Sequence, residues 1–357
     1  MIKIFVNASK KYEVLIGGDI LSGAGELIKE IAGDGADNFT AAVVTDENVA
    51  ALHLGRLTNG FKECGLRFET FVFPGGEAYK TPETLFSLVN FLAEKNISRS
   101  DMIVAFGGGV VGDLAGFAAA CYMRGVKLIQ IPTTLISAVD SSVGGKTGVN
   151  LPAGKNLIGA FYQPDLVICD TSLLATLPKE IFTDGCAEII KYGIIADRAL
   201  FDSLNENMSP RSLNIEKIIA RCVEIKRDFI AEDEFDNGRR MILNFGHTIG
   251  HAAEKLSQNK ISHGRAVAAG IAVETRAAYK MGICEKKSRD EIIGMIKKYG
   301  LPTSFDFGAE ELARACFSDK KRAGDHFTMI FPVKIGECTL RKIPAGEIEN
   351  VIKTGLG

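Results

Sequence analysis

Between Arg239 and Glu254 the chain reads RRMILNFGHTIGHAAE, and its reactive side chains recur at helical intervals. Arg240, Asn244, His247, His251 and Glu254 are separated by 4, 3, 4 and 3 residues. On a continuous helix that spacing puts them on one face and turns Met241, Ile242, Phe245, Ile249 and Ala252 away from it. His247 and His251, one turn apart, form a pair that can bind a transition metal once a distant third ligand is added. Of the five histidines, His247, His251 and His263 lie within seventeen positions. Gly246 and Gly250 each cost such a helix about 1 kcal/mol relative to Ala, but they let another backbone or a ligand approach closely. A solvated face with incidental histidines is the plainer alternative. Arg and Asn interleaved with apolar residues fit a pocket wall better.

A second stretch has cofactor character. GGGVVG fits G-x-G-x-x-G with Gly107, Gly109 and Gly112, and it follows the apolar run Met102–Phe106 and precedes LAGFAAACYM. Glycines there let a pyrophosphate reach the backbone and the next helix N-terminus. The usual acidic residue about 20 positions further on, which would hold a ribose, is missing near Ile131. In an NAD site Asp46 or Glu77 must take that part. A glycine turn that only packs helix on strand is the competing reading. Further on, AVDSSVGGKTGVNLPAGKN carries Lys146, Lys155, Asn150 and Asn156, a set suited to an anion. Asp140 stands where a P-loop has its first glycine, which disfavours ATP chemistry.

The elements that position these residues follow from length and pattern. A chain of 357 residues exceeds one typical core, so two domains are expected. With 42 basic and 44 acidic residues the net charge is −2, and no basic block or aromatic platform invites nucleic acid. No run of eighteen apolar residues suggests a membrane span. The N-terminus reads as two short strands rather than a leader, and eight scattered cysteines without a CxxC pair suit a cytoplasmic protein with reduced thiols. Apolar runs at 41–44, 68–73, 102–106, 127–131 and 166–169 alternate with helical patterns, the clearest starting at Thr81-Pro82-Glu83. This predicts an α/β fold: a Rossmann-like, doubly wound parallel sheet over residues 1–175, with ligands at the carboxyl ends of its strands. From 176 to 357 the pattern is mainly α-helical, and TLPKEIFTDG marks the boundary. Glu188 and Lys191 share a helix face there, ordinarily a surface ion pair. Lys226 falls in line with Ile215, Ile219, Cys222 and Phe229, so it either snorkels out or reaches into a site. MIFPV and TLRKIP read as a small hairpin or a pair of strands.

Five segments in order across nearly the whole chain, GGGVVGDLAGFAAACYMRG, IPTTLISAVDSSVGGKTGVN, GCAEIIKYG, LNFGHTIGHAAE and HGRAVAAGI, resemble the 3-dehydroquinate synthases among the sugar-phosphate cyclases. The resemblance implies a homodimer that uses NAD and one divalent metal, zinc or alternatively cobalt, held by Glu188, His247 and His263 rather than by the His247–His251 pair. It implies a small sugar-phosphate substrate, 3-deoxy-arabino-heptulosonate 7-phosphate, converted to 3-dehydroquinate by transient oxidation at C5, phosphate elimination, reduction and aldol closure. Phosphate contacts would fall to Lys146, Asn156, His251 and, from the partner subunit, Arg124. Arg240 and Asn244 would meet the carboxylate, and Asp140, Lys191 and Lys226 the hydroxyls or metal-bound oxygens. Cofactor contacts would fall to Asp46, Gly75, Gly76, Glu77, Ala78, Tyr79, Lys80, Gly108, Gly109, Val110, Val111, Gly112, Asp113, Thr133, Thr134, Lys146, Lys155, Leu173, Leu174, Ala175 and Thr176. A further substrate lysine expected near the C-terminus is not fixed among Lys320, Lys321 and Lys334. The rivals are a sister cyclase such as 2-deoxy-scyllo-inosose synthase, an NAD alcohol dehydrogenase of glycerol-dehydrogenase type, and a non-catalytic NAD- or metal-binding regulator.

Overall fold

A computed structural model describes residues 1–33, 39–206, 208–258, 260–317, 322–323 and 325–357. Two of the candidate lysines, Lys320 and Lys321, lie outside the described residues. The chain divides into two units, one of Met1–Pro178 with Ser209–Phe235, the other of Lys179–Met208 with Asp236–Gly357.

The first unit is built on a seven-stranded sheet. Its strands are β1 (Ile2–Asn7), β2 (Lys11–Gly17), β3 (Thr40–Asp46), β4 (Arg67–Phe73), β5 (Met102–Gly107), β6 (Lys127–Pro132) and β9 (Leu166–Asp170), with the hairpin β7 (Lys146–Leu151) and β8 (Gly154–Phe161) apart. The order β1-β2-β9-β6-β5-β3-β4 is parallel throughout except for the antiparallel β1–β2 edge. The expected strands are thus present, and so are the two at the N-terminus. Buried central strands alternate their side chains between two cores. Ala41 and Val43 pack with Leu57, Phe61 and Ile168, while Ala42 and Val44 pack with Leu88, Leu114 and Phe117. Four consecutive apolar residues in the middle of β3, Ala41 to Val44, are what a sheet covered on both faces requires.

Strand order reverses at β3, which pairs with β4 on one side and β5 on the other. Ligands of open α/β sheets bind outside the carboxyl ends of strands at such a switch. The helix Pro82–Glu94 starts where expected, with the Thr81 hydroxyl accepting from the Thr84 N–H at 3.3 Å and Pro82 in the first turn. The boundary expected at 175/176 misses one excursion. Residues 209–235 return to the first unit, because the helix Ile215–Glu232 packs on β1, β2 and the turn Ser137–Ser141.

The second unit centres on three helices, Lys179–Ala196, His247–Leu256 and His263–Lys280, with a small antiparallel sheet that contains the expected hairpin His326–Lys334 and Glu337–Pro344. Ile249, Ala253, Val273, Leu312, Phe327 and Phe331 form its core. The single helix expected from Arg240 to Glu254 does not exist. Arg239–Asn244 is a short tight helical turn, Gly246 adopts φ +79°, and the regular helix begins at His247. A β-carbon on Gly246 would meet Ile271 Cγ1 at 2.5 Å and the Val267 carbonyl at 2.7 Å, so the break is enforced by the neighbouring helix. Gly250 also lies against that helix, with the Ala266 carbonyl 3.0 Å from where its β-carbon would be. Among the described residues no helix is long and apolar enough to cross a membrane.

Candidate active site

In the second unit, Glu188 and Lys191 sit one turn apart on the helix Lys179–Ala196, both buried, and Lys191 Nζ pairs with Glu188 Oε2. This is not the surface pair that the sequence spacing ordinarily means. The other oxygen, Oε1, lies 3.6 Å from His247 Nε2 and 3.4 Å from His263 Nε2. The His247 and His263 rings meet edge to face at 5.3 Å. His247 Nδ1 is 3.1 Å from the Phe245 carbonyl, which can only accept. That contact puts the proton on Nδ1 and leaves Nε2 as a donor atom for a metal.

A carboxylate oxygen and two imidazole nitrogens make a suitable zinc donor set. With metal–ligand bonds of about 2.1 Å, the edges of a tetrahedron are about 3.4 Å. The two Glu188 separations match that edge, so the residues present fit a four-coordinate divalent ion. Burial works against a charge on His263, yet the Glu188 and Glu254 carboxylates outweigh it and push its pKa up to about 10.

His251 stands on the same helix as His247 with ring centroids 5.3 Å apart, and its Nε2 faces Glu254 Oε2 at 4.0 Å. A second set of donor atoms, from His251, Glu254 and His263, also lies within 4.8 Å. Arg240 is buried at 1% exposure, while Asn244 is half-buried. Glu254 is the residue that sequence reasoning passed over. It closed the helical spacing but received no role, and its burial at 2% shows only in three dimensions.

In the first unit the cofactor candidates gather at the carboxyl ends of β3, β4, β5, β6 and β9. Asp46 ends β3, and its Oδ1 accepts from the Asn48 and Val49 amides at 2.9 and 3.0 Å. Gly75, Gly76, Glu77, Ala78, Tyr79 and Lys80 follow β4, with Gly76 at φ +113°. The helix Gly109–Cys121 begins directly after β5, so Gly108, Gly109, Val110, Val111, Gly112 and Asp113 form the strand-to-helix turn that the motif requires. Thr133 and Thr134 follow β6. The Thr133 hydroxyl is buried with no hydrogen-bond partner among the described residues, and Thr134 Oγ1 is 2.8 Å from Ser137 Oγ. Leu173, Leu174, Ala175 and Thr176 form the helical turn after β9. The two leucines are only 1% exposed, so their side chains serve the core and only backbone is left to offer a ligand.

The four anion candidates Lys146, Asn150, Lys155 and Asn156 all lie on the β7–β8 hairpin. Lys146 opens it exposed, Lys155 is half-buried, and Asn156 takes φ +51°. Lys80 is buried, pairs with Asp113 and donates to Asn156 Oδ1 at 2.6 Å. Burial works against its charge, but Asp113 and Glu77 hold the pKa above the ordinary lysine value. Glu77 Oε1 accepts from Asn150 Nδ2 at 2.7 Å, and the Asn150 N–H donates to the Lys80 carbonyl at 2.8 Å. Lys226, buried among apolar neighbours, reaches the Asp140 carboxylate and its carbonyl, the latter at 2.7 Å. Arg124 has φ +65° and follows Met123 at φ +48°. Lys334 is exposed and 3.3 Å from Glu337.

A parallel sheet with a glycine turn at its switch point, joined in one chain to a helical unit holding a carboxylate–imidazole donor set, defines a class of metal- and dinucleotide-binding α/β enzymes. The 3-dehydroquinate synthase N-terminal family model matches residues 70–184 and the C-terminal model residues 185–322. The chain belongs to the 3-dehydroquinate synthase family. It is 42% identical to the 3-dehydroquinate synthase of Streptococcus sanguinis over 96% of this chain and 97% of that one. It is 39% identical to that of a Ruegeria species over 98% and 96%. Among solved structures, a 2-deoxy-scyllo-inosose synthase complexed with carbaglucose-6-phosphate, NAD+ and Co2+ is 27% identical with a TM-score of 0.86, over 99% of this chain and 100% of that one. A 2-epi-5-epi-valiolone synthase from Streptomyces hygroscopicus with NAD+ and Zn2+ bound is 25% identical with a TM-score of 0.86, each chain covered to 96%. An iron-containing alcohol dehydrogenase, 15% identical with a TM-score of 0.67 over 100% and 99% of the two chains, shares the fold.

Proposed function

We propose that the chain converts 3-deoxy-arabino-heptulosonate 7-phosphate to 3-dehydroquinate and phosphate, with NAD and one divalent ion, zinc or cobalt, as cofactors. The observation that carries this reading is Glu188 Oε1 within 3.6 Å of two imidazole Nε2 atoms, in a chain 42% identical to a 3-dehydroquinate synthase. When bound, NAD would supply reversible hydride transfer at the C5 carbinol, and the ion would supply polarisation of the oxygens there.

This chain's own residues bind and orient. Glu188, His247 and His263 hold the ion, and Lys191 neutralises the second Glu188 oxygen. Asp46, the 75–80 loop, the 108–113 turn, Thr133, Thr134, Lys155 and the 173–176 turn hold the dinucleotide. Lys146 and Asn156 bind the phosphate, and His251 serves the same substrate. Arg240 and Asn244 clamp the carboxylate through charge-assisted hydrogen bonds. Asp140 and Lys226, paired with each other, orient hydroxyls. A carboxylate clamp has no use in a cyclase acting on glucose 6-phosphate, which favours the heptulosonate phosphate.

The working form is read as a homodimer in which Arg124 reaches the partner's site. Its support is an apolar groove of about 400 Å³ lined by Pro82, Phe86, Phe117, Met123 and Ile158, with Phe86 67% exposed. Scattered cysteines support a reducing, cytoplasmic setting. The test is phosphate release from the heptulosonate phosphate, with and without NAD and after chelation. Release that needs both, without net NADH, supports the reading; accumulation of NADH identifies a dehydrogenase instead.

A further inference from the structure

The two histidines that face Glu188 are oriented by different acceptors. His247 turns its Nδ1 to the Phe245 carbonyl, two residues away on the same chain segment. His263 opens the next helix and has no such local carbonyl at its Nδ1 among the contacts described; what faces that atom, at 3.5 Å, is Glu254 Oε1. Its ring is therefore strung between two carboxylates, Glu188 at Nε2 and Glu254 at Nδ1.

An imidazole can give only its unprotonated nitrogen to a metal, so whatever holds the N–H decides which nitrogen is left. A carboxylate buried at 2% exposure, behind the ring and away from Glu188, is the strongest available acceptor for that N–H. Glu254 is held there by the geometry of its own helix. It lies seven residues, close to two turns, after His247, and so falls on the same face. Its other oxygen faces His251 Nε2 at 4.0 Å, too far for a hydrogen bond and close enough for charge attraction.

We infer that Glu254 is a positioning residue, a buried carboxylate that fixes His263 with its proton on Nδ1 and its Nε2 turned toward Glu188 and His247. The inference rests on the reading of Glu188, His247 and His263 as the ion's ligands. It makes Glu254 a determinant of ion affinity without being a ligand.

The test measures zinc affinity by chelator competition, and the visible spectrum of the cobalt-loaded protein, for the parent, Glu254→Gln, Glu254→Asp, Glu254→Ala and Glu188→Ala. Glu254→Gln keeps the volume and loses the charge. The expected result is a 10- to 100-fold loss of zinc affinity, a shifted cobalt spectrum, partial recovery in Glu254→Asp, and an unfolding midpoint of the metal-stripped protein close to the parent's. Parent-like affinity and spectrum in Glu254→Gln would overturn the inference. Loss of binding in Glu254→Ala as complete as in Glu188→Ala would overturn it too, making Glu254 a ligand within the His251–Glu254–His263 set. Parent-like affinity in Glu188→Ala sinks the ligand reading itself, and is thereby distinguishable from failure of the Glu254 inference alone. If Glu254→Ala does not fold, Glu254→Gln and Glu254→Asp decide the matter.

Discussion

Lys80 Nζ lies 2.6 Å from Asn156 Oδ1 and also pairs with Asp113, so one buried ammonium ties the loop after β4 to the glycine-turn helix and to the anion hairpin. Three segments singled out separately in the sequence are one hydrogen-bonded assembly. Breaking a buried pair from one side leaves an uncompensated charge, at a cost of about 3–5 kcal/mol. Lys80→Met is expected to lower stability by that order, read by urea unfolding, and to weaken NAD binding. Adding Asp113→Asn to Lys80→Met should recover part of the stability. A double variant as unstable as the sum of the singles would show that the two groups are not coupled.

Arg240 is the largest fully buried side chain among the described residues and is the residue proposed to meet the substrate carboxylate. Removing a charged partner from a desolvated contact costs about 2–5 kcal/mol. Arg240→Ala is therefore expected to reduce kcat/KM for the heptulosonate phosphate by about 100- to 1,000-fold, with NAD and zinc affinities retained. Unaltered kinetics would remove the preference for a carboxylate substrate over glucose 6-phosphate.

Gly246 offers a prediction about the backbone next to the proposed metal site. Its φ of +79° and the nearness of Ile271 and Val267 leave no room for a methyl group. Its N–H also donates to the buried Glu274 Oε2 at 3.1 Å. Gly246→Ala should cost about 2 kcal/mol or more and weaken zinc binding, because His247 is the next residue. A melting temperature equal to the parent's would show that the break is not enforced by packing.

Chelation gives a third kind of test. Dialysis against a strong chelator should abolish phosphate release, and one equivalent of zinc or cobalt per chain should restore it. Restoration by magnesium alone, with its preference for oxygen ligands, would contradict a site with two imidazoles.

The buried thiols set a pH window. Burial first, then nearby carboxylates, push Cys169 and Cys186 up to about 12 from an ordinary 9.0. Folding raises these pKa values, so between about 9 and 12 the native chain keeps protons that the unfolded chain loses. Their contribution to stability is complete below about pH 9 and lost as pH rises through that window. Alkylation of Cys169 should stay negligible at pH 8 in the native protein and become rapid on unfolding, as peptide mapping would show. Fast native labelling at pH 8 would contradict that burial.

How far the sequence reached depends on the kind of signal. The β3 and β5 runs and the Thr81-Pro82 start were legible because period and capping are local properties. The break at Gly246 was not. The intervals 4, 3, 4 and 3 survive on either side of it, and what forces the positive φ is a helix seventeen and more residues further on. Spacing favoured His251 as the partner of His247, since a one-dimensional pattern rewards one helical turn. His263 faces Glu188 because two other helices bring them together. The resemblance named Glu188, His247 and His263, and the distances fit that set. Lys226 was legible as an anomaly on an apolar stripe; its partner Asp140 lies 86 positions away and no local pattern could supply it.

The return of residues 209–235 to the first unit has a consequence for inheritance. The polypeptide passes from one unit to the other at three junctions, so no single cut yields two whole pieces. A fragment ending at Pro178 would lack the helix that covers β1 and β2 and would strand Asp140 without Lys226. Recombination that trades one half of such an enzyme for a cousin's must therefore exchange an interior cassette as well.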